Sequence, residues 1–170
     1  PNMSHQIVIM GVAGCGKSSL ATLVAQTQGL SLIEGDDFHS ADSRAKMSQG
    51  IALTDADRAG WLSRLGEELR QHADGAVLSC SALKRQYRER LRAAAPDLRF
   101  VFLEIGREQA QQRVSARAPQ HFFSTSLVDS QFATLESPLG EARVLRLDAT
   151  APLPQLQAEV AAWLQQGETA

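Results

Sequence analysis

Gly11-Val12-Ala13-Gly14-Cys15-Gly16-Lys17-Ser18 places glycine, lysine and a hydroxyl at the spacing G-x-x-x-x-G-K-[ST], and Ser19 follows directly. Residues of these types in this order hold the phosphates of a nucleotide. The glycines let backbone N–H groups close on phosphate oxygens, and the helix that follows points its positive end at them. Lys17 in this frame reaches the β- and γ-phosphates. Ser18 offers its hydroxyl to a Mg²⁺ ion that bridges the same two phosphates and neutralises charge as the terminal phosphoryl group leaves. Phosphoryl transfer is the chemistry implied.

That chemistry asks for positioning, positive charge and one group to orient or deprotonate the acceptor hydroxyl. Asp36, in Glu34-Gly35-Asp36-Asp37-Phe38-His39, is the candidate acceptor-side carboxylate, and it can also face the water shell of the metal. Asp37 is its neighbour and rival. Cations fall in three clusters: Arg44 with Lys46, Lys84 with Arg85 and Arg88, and Arg113 with Arg117. The spacing i, i+4 sets Arg113 and Arg117 on one side of a helix, where they can clamp the transferring group. Lys84 and Arg85 open a helix, against its dipole, which calls for a local anion. The third and fourth apolar runs end in Ser79-Cys80-Ser81 and in Glu104, so the usual acidic partner after an apolar strand is absent or displaced.

The elements that must carry these residues follow from apolar runs of strand length alternating with helical segments, a pattern of parallel strands with crossover helices on both faces. Five strands are expected, at 6–10, 30–34, 76–79, 98–104 and 142–147. Helices are expected over 18–28, from the Thr54-Asp55-Ala56-Asp57 cap toward Gly75, and over 84–95, 108–117 and 153–166. Two stretches interrupt the pattern, 36–55 and 118–126. Lying beyond the carboxyl ends of strands, they are where an acceptor pocket and a lid would be built.

A chain of 170 residues, 44% hydrophobic, forms one core, so residues 1–170 are expected to be a single domain, with the acceptor segment at about 36–75 and the lid at about 113–126. A net charge of −2 argues against a general nucleic-acid binder. With no apolar run near 18 residues and no secretory signal, a soluble cytoplasmic protein with no membrane partner is expected. Cys15 and Cys80 are the only cysteines and are expected to be free thiols.

The loop, Asp36-Asp37-Phe38-His39, Lys46-Met47 with Gly50, Leu53, Asp55, Asp57-Arg58, Trp61-Leu62, Cys80-Ser81-Ala82-Leu83-Lys84 and Tyr87-Arg88 resemble the gluconate kinases. Arg113, Arg117, His121-Phe122-Phe123, Gln131-Phe132 and Leu135-Glu136-Ser137-Pro138 continue the match in order, across nearly the whole chain. The resemblance implies a three-layer α/β/α fold like that of adenylate and shikimate kinases, with a five-stranded parallel sheet in order 2-3-1-4-5. It implies ATP- and Mg²⁺-dependent phosphorylation of D-gluconate at its 6-hydroxyl, by a homodimer. It places Phe38, His39, Lys46, Asp55, Arg58, Lys84, His121 and Gln131 with Asp36 around the sugar acid, and Arg113 and Arg117 as lid arginines. Residues 11–19 would hold the nucleotide.

Ser40 and Ser43 stand where many relatives carry Pro and Asn, and Ala52 where they carry Pro, which is expected to loosen the acceptor segment. Two other readings stay open. One is a kinase of this architecture acting on shikimate or a different aldonate. The other is a nucleotide-dependent switch, although the Asn-Lys-x-Asp of the guanine-nucleotide pattern does not occur.

Overall fold

Ile7 and Ile9 turn to one side of the first strand, Val8 and Met10 to the other, and all four are fully buried. A strand covered on both faces requires this continuous apolar run. The protein is described from a computed structural model, which covers residues 5–117 and 125–169. In chain order the elements are β1 (Gln6–Met10), α1 (Lys17–Gln28), β2 (Ser31–Glu34), a 3-10 turn (Gly35–Phe38), α2 (Ala41–Ser48), α3 (Asp55–Gln71) and β3 (Ala76–Ser79). There follow α4 (Arg85–Ala94), β4 (Arg99–Glu104), α5 (Arg107–Arg117), α6 (Thr125–Thr134), β5 (Val144–Asp148) and α7 (Leu153–Thr169).

The five strands make one all-parallel sheet in the order β2-β3-β1-β4-β5, as the resemblance implied. Leu20 and Val24 of α1, Ala110 and Val114 of α5, Val128 of α6 and Leu156 and Val160 of α7 cover one face. Trp61, Leu62, Leu65 and Leu69 of α3 and Tyr87 and Leu91 of α4 cover the other. Among the described residues no helix is long and apolar enough to cross a membrane.

Ile9 stands level with Ser79 and with Val101, and Glu34 stands level with Ser79. The chain segments that follow β1, β2 and β3 therefore leave the sheet at one edge. Parallel strands gather their outgoing loops this way, and ligands bind there.

The strand expectations hold to within two residues. The stretch at 36–55 is more regular than its composition suggests: it contains the 3-10 turn and α2. Ser40 caps α2, its hydroxyl accepting from the Ser43 N–H at 3.1 Å. Helix α3 ends at Gln71 rather than near Gly75. Part of the stretch expected to be a lid lies outside the described residues, and α6 emerges from it.

Candidate active site

The phosphate loop is shaped by backbone conformations that side chains would forbid. Gly14 has φ 86°, and a Cβ on it would stand 2.8 Å from the Ala110 carbonyl oxygen, so only glycine fits between loop and α5. Helix α1 begins at Lys17 with no side chain capping it and no acid in its first turn. Its leading N–H groups and positive dipole end are left for an anion. Lys17 Nζ donates to the Val12 carbonyl at 3.2 Å, curled over the loop. From α5, Arg113 donates to the Gly14 carbonyl and to the Ala149 carbonyl, each at 3.0 Å, which brings a guanidinium against the loop. Cys15 and Cys80 are free and buried, and burial pushes both thiols up, Cys80 to about 12.

At the end of β2 three carboxylates cluster. The Ser18 hydroxyl donates to Glu34 Oε2 at 3.0 Å. Burial pushes the Glu34 carboxyl up, and the charges of Asp36 and Asp37 add to this against the hydrogen bond from Ser18. Asp36 goes the other way: burial would raise it, but His39, Lys17 and Arg44 together hold it below the usual carboxylate range. Asp37 is exposed. The chain can make this turn because Gly35 lies flush on β3, where a Cβ would collide with the Ser79 carbonyl oxygen. Trp61 of α3 locks the turn from below, its indole N–H donating to the Gly35 carbonyl at 2.6 Å. The same indole stacks on the His39 ring at 4.3 Å between centroids, and His39 Nε2 sits 3.6 Å from Asp36 Oδ1.

Lys17, Asp36, His39, Arg58 and Gln131 line one cleft, with Trp61 and Ser81 between them. Two features of this cleft stand out chemically. His39 Nδ1 is buried and unpartnered. Arg58 is 8% exposed, and among the described residues its guanidinium meets the Tyr87 hydroxyl, at 3.5 Å, and the Tyr87 ring, 5.4 Å away. A buried guanidinium without a carboxylate is costly.

The other cations expected around an acidic ligand are neutralised inside the chain. Lys46 Nζ donates to both carboxylate oxygens of Asp57, at 3.0 and 2.9 Å. Lys84 Nζ donates to Asp55 at 2.9 Å, and the Tyr87 hydroxyl donates to the same Asp55 oxygen. Asp55 and Lys84 thus meet each other beside Arg58. Phe38 is half-buried, and its carbonyl accepts from Arg64 at 2.9 Å. Ser19 is exposed at the start of α1. His121 lies outside the described residues, as does the side chain of Arg117.

Gln131 holds a position that spacing alone does not suggest: the Ala13 N–H of the phosphate loop donates to its Oε1 at 2.7 Å. The sequence reading missed Glu34, although a carboxylate two residues before Asp36 at a strand end was the available signal. It also missed Trp61 as a support for the site, despite its i, i+3 spacing from Arg58. Glu104, at the end of β4, is paired with Arg146 at 2.7 Å and stays with the sheet edge.

The parallel sheet, the phosphate loop and the acceptor-side cleft define a P-loop small-molecule kinase. A family model described as an AAA domain matches residues 7–139. The chain is 41% identical to a gluconokinase of Arabidopsis thaliana over 146 residues, 77% of each protein. It is 35% identical to the thermoresistant gluconokinase of Escherichia coli (strain K12) over 172 residues, 98% of each. The crystal structure of a gluconokinase from Sinorhizobium meliloti 1021 matches with a TM-score of 0.89 at 42% identity, covering 98% of this chain and 94% of that one. The chain belongs to the gluconokinase family.

Proposed function

We propose that this protein transfers the γ-phosphoryl group of ATP to the 6-hydroxyl of D-gluconate. The observation that carries the reading is Arg58, a buried guanidinium with no carboxylate partner of its own among the described residues, in the same cleft as Lys17 and Asp36. A planar fork in that setting suits a ligand carboxylate, and the remaining cleft polar groups suit hydroxyls. The loop N–H groups, Lys17 and Arg113 then face the phosphates. Asp36, held ionised, orients the acceptor hydroxyl and accepts its proton as the bond to phosphorus forms.

Ser18, Glu34 and Asp36 supply hard oxygen donors of the kind Mg²⁺ prefers. Among the described residues no group of three or more His, Cys, Asp or Glu could hold a metal ion by itself, so water and phosphate oxygens would complete the coordination. When bound, Mg²⁺ neutralises charge on the β- and γ-phosphates. The family resemblance also supports a single-domain homodimer working in the cytoplasm.

The test is ADP formation with MgATP against D-gluconate, D-gluconamide, other aldonates, shikimate and no acceptor. D-Gluconate is expected to be strongly preferred over its neutral amide. Arg58→Gln is expected to raise the gluconate KM by about 30-fold or more, as for truncation of a buried charge partner, and to abolish that preference. Lys84→Ala, whose charge is already spent on Asp55, is expected to do much less. Turnover independent of any acceptor would overturn the reading.

A further inference from the structure

Arg88, on α4, is fully buried, and all five of its N–H groups are used. Nε and Nη2 donate to the two carboxylate oxygens of Glu141 at 2.9 and 2.7 Å. Nη2 also donates to the Glu136 carbonyl at 2.9 Å, and Nη1 donates to the carbonyls of Ala82 and Leu83 at 2.8 and 3.2 Å. The Glu141 side chain is 8% exposed and accepts a further bond from Arg92 at 2.9 Å.

The two backbone segments gripped in this way both reach the cleft. Ala82 has φ 47°, a left-handed conformation that an alanine holds only when its surroundings fix it. Immediately before it, Ser81 lines the cleft, and its carbonyl accepts from the Gly11 N–H of the phosphate loop at 3.3 Å. Glu136 follows α6, whose Gln131 lines the cleft and holds Ala13. The segments are also tied to each other. The Glu136 N–H donates to the Leu83 carbonyl and the Arg85 N–H to Glu136 Oε1, both at 2.8 Å.

We propose that Arg88 is a positioning residue of the acceptor pocket. Acting only through backbone carbonyls and Glu141, it fastens the 81–84 loop to the base of α6, so that Ser81 and Gln131 present one preformed wall to the acceptor. The placement rests on the gluconokinase reading for the identity of that acceptor. Five donors in a plane are needed, because the accepting oxygens come from three directions around the guanidinium. A lysine at this position carries the charge but has three donors on one nitrogen and cannot span them.

The experiment is steady-state kinetics of Arg88→Lys and Glu141→Gln beside the wild type, at a temperature well below each variant's unfolding midpoint. Arg88→Lys is expected to raise the gluconate KM by about tenfold or more, the scale of effect of a small misplacement of binding groups, with the ATP KM within about twofold. Glu141→Gln, which touches no ligand and leaves Arg88 in place, is expected to shift the same constant in the same direction by less. A purely structural Arg88 would lower the unfolding midpoint and the active fraction but leave both KM values alone in the molecules that remain folded. Unshifted KM values, or equal rises in both, overturn the proposal, and if Arg88→Lys does not fold the decision passes to Glu141→Gln. A wild type that makes no ADP with gluconate overturns the gluconokinase reading itself, and this assignment with it.

Discussion

The Ser18 hydroxyl at the head of α1 donates to Glu34 Oε2 at the end of β2, 3.0 Å away. The link joins the hydroxyl of the phosphate-loop motif to a carboxylate on the edge strand β2, separated from β1 by β3. It gives the loop hydroxyl an acidic neighbour, whereas β3 ends in Ser79 and the carboxylate that ends β4, Glu104, is paired with Arg146.

If that pair serves the metal, removing the carboxylate charge weakens the ion's hold without disturbing the loop. Glu34→Gln is expected to raise the Mg²⁺ concentration needed for half-maximal rate by about tenfold, one carboxylate fewer around a hard cation, with the fold intact. A titration of rate against free Mg²⁺ decides this. An unchanged midpoint would reduce Glu34 to a partner that only orients Ser18.

Asp36 and Asp37 are adjacent in sequence but not equivalent. Asp36 lines the cleft with Lys17 and His39, while Asp37 is exposed and is not among the residues lining that cleft. Asp36→Asn is expected to cut kcat by about 10²-fold or more, the usual contribution of a positioned acid–base group, while nucleotide still binds. Asp37→Asn should stay near the wild-type rate. Paired kcat measurements with nucleotide binding by calorimetry check both, and a reversal of the two effects would transfer the acceptor role to Asp37.

Lys46 binds both oxygens of Asp57, and the same carboxylate closes the Thr54 capping box of α3 by accepting from the Thr54 N–H at 2.9 Å. The hydrogen bond from Lys46, with those from Thr54, holds Asp57 down to about 2 from an ordinary value of 3.8. A carboxylate depressed in the folded state adds stability that is fully present above its unfolded pKa and disappears as pH falls through the folded one. Urea midpoints of the wild type should therefore drop more steeply than those of Asp57→Asn between about pH 4 and pH 2. Parallel curves across that window would show that the pair contributes nothing.

Much of the frame was legible because the signals behind it are local. The apolar runs of β1 and β4 mark strands buried on both faces, and the glycine spacing of residues 11–16 marks a loop whose backbone angles other residues resist. The Thr54 and Asp57 spacing marks the start of α3. Helices α2 and α6 were not legible for the same reason. Met47 and Ser43 are the only buried residues of α2, and no sustained apolar period runs through 125–134 to announce α6.

The composition of the site was decided elsewhere. Basic residues in sequence announce positive charge but not its partner. Lys46 finds Asp57 11 residues on, Lys84 finds Asp55 29 residues back, and Arg88 finds Glu141 53 residues on. Those meetings depend on where α3, α4 and the segment after α6 return to the sheet edge, and charge has no period along a chain that would reveal them. The sequence by itself determined a phosphate loop on a parallel sheet with an acid-bearing turn beside it. Only the tertiary structure set the two cations apart, pairing Lys84 with Asp55 and burying Arg58 with no carboxylate partner among the described residues.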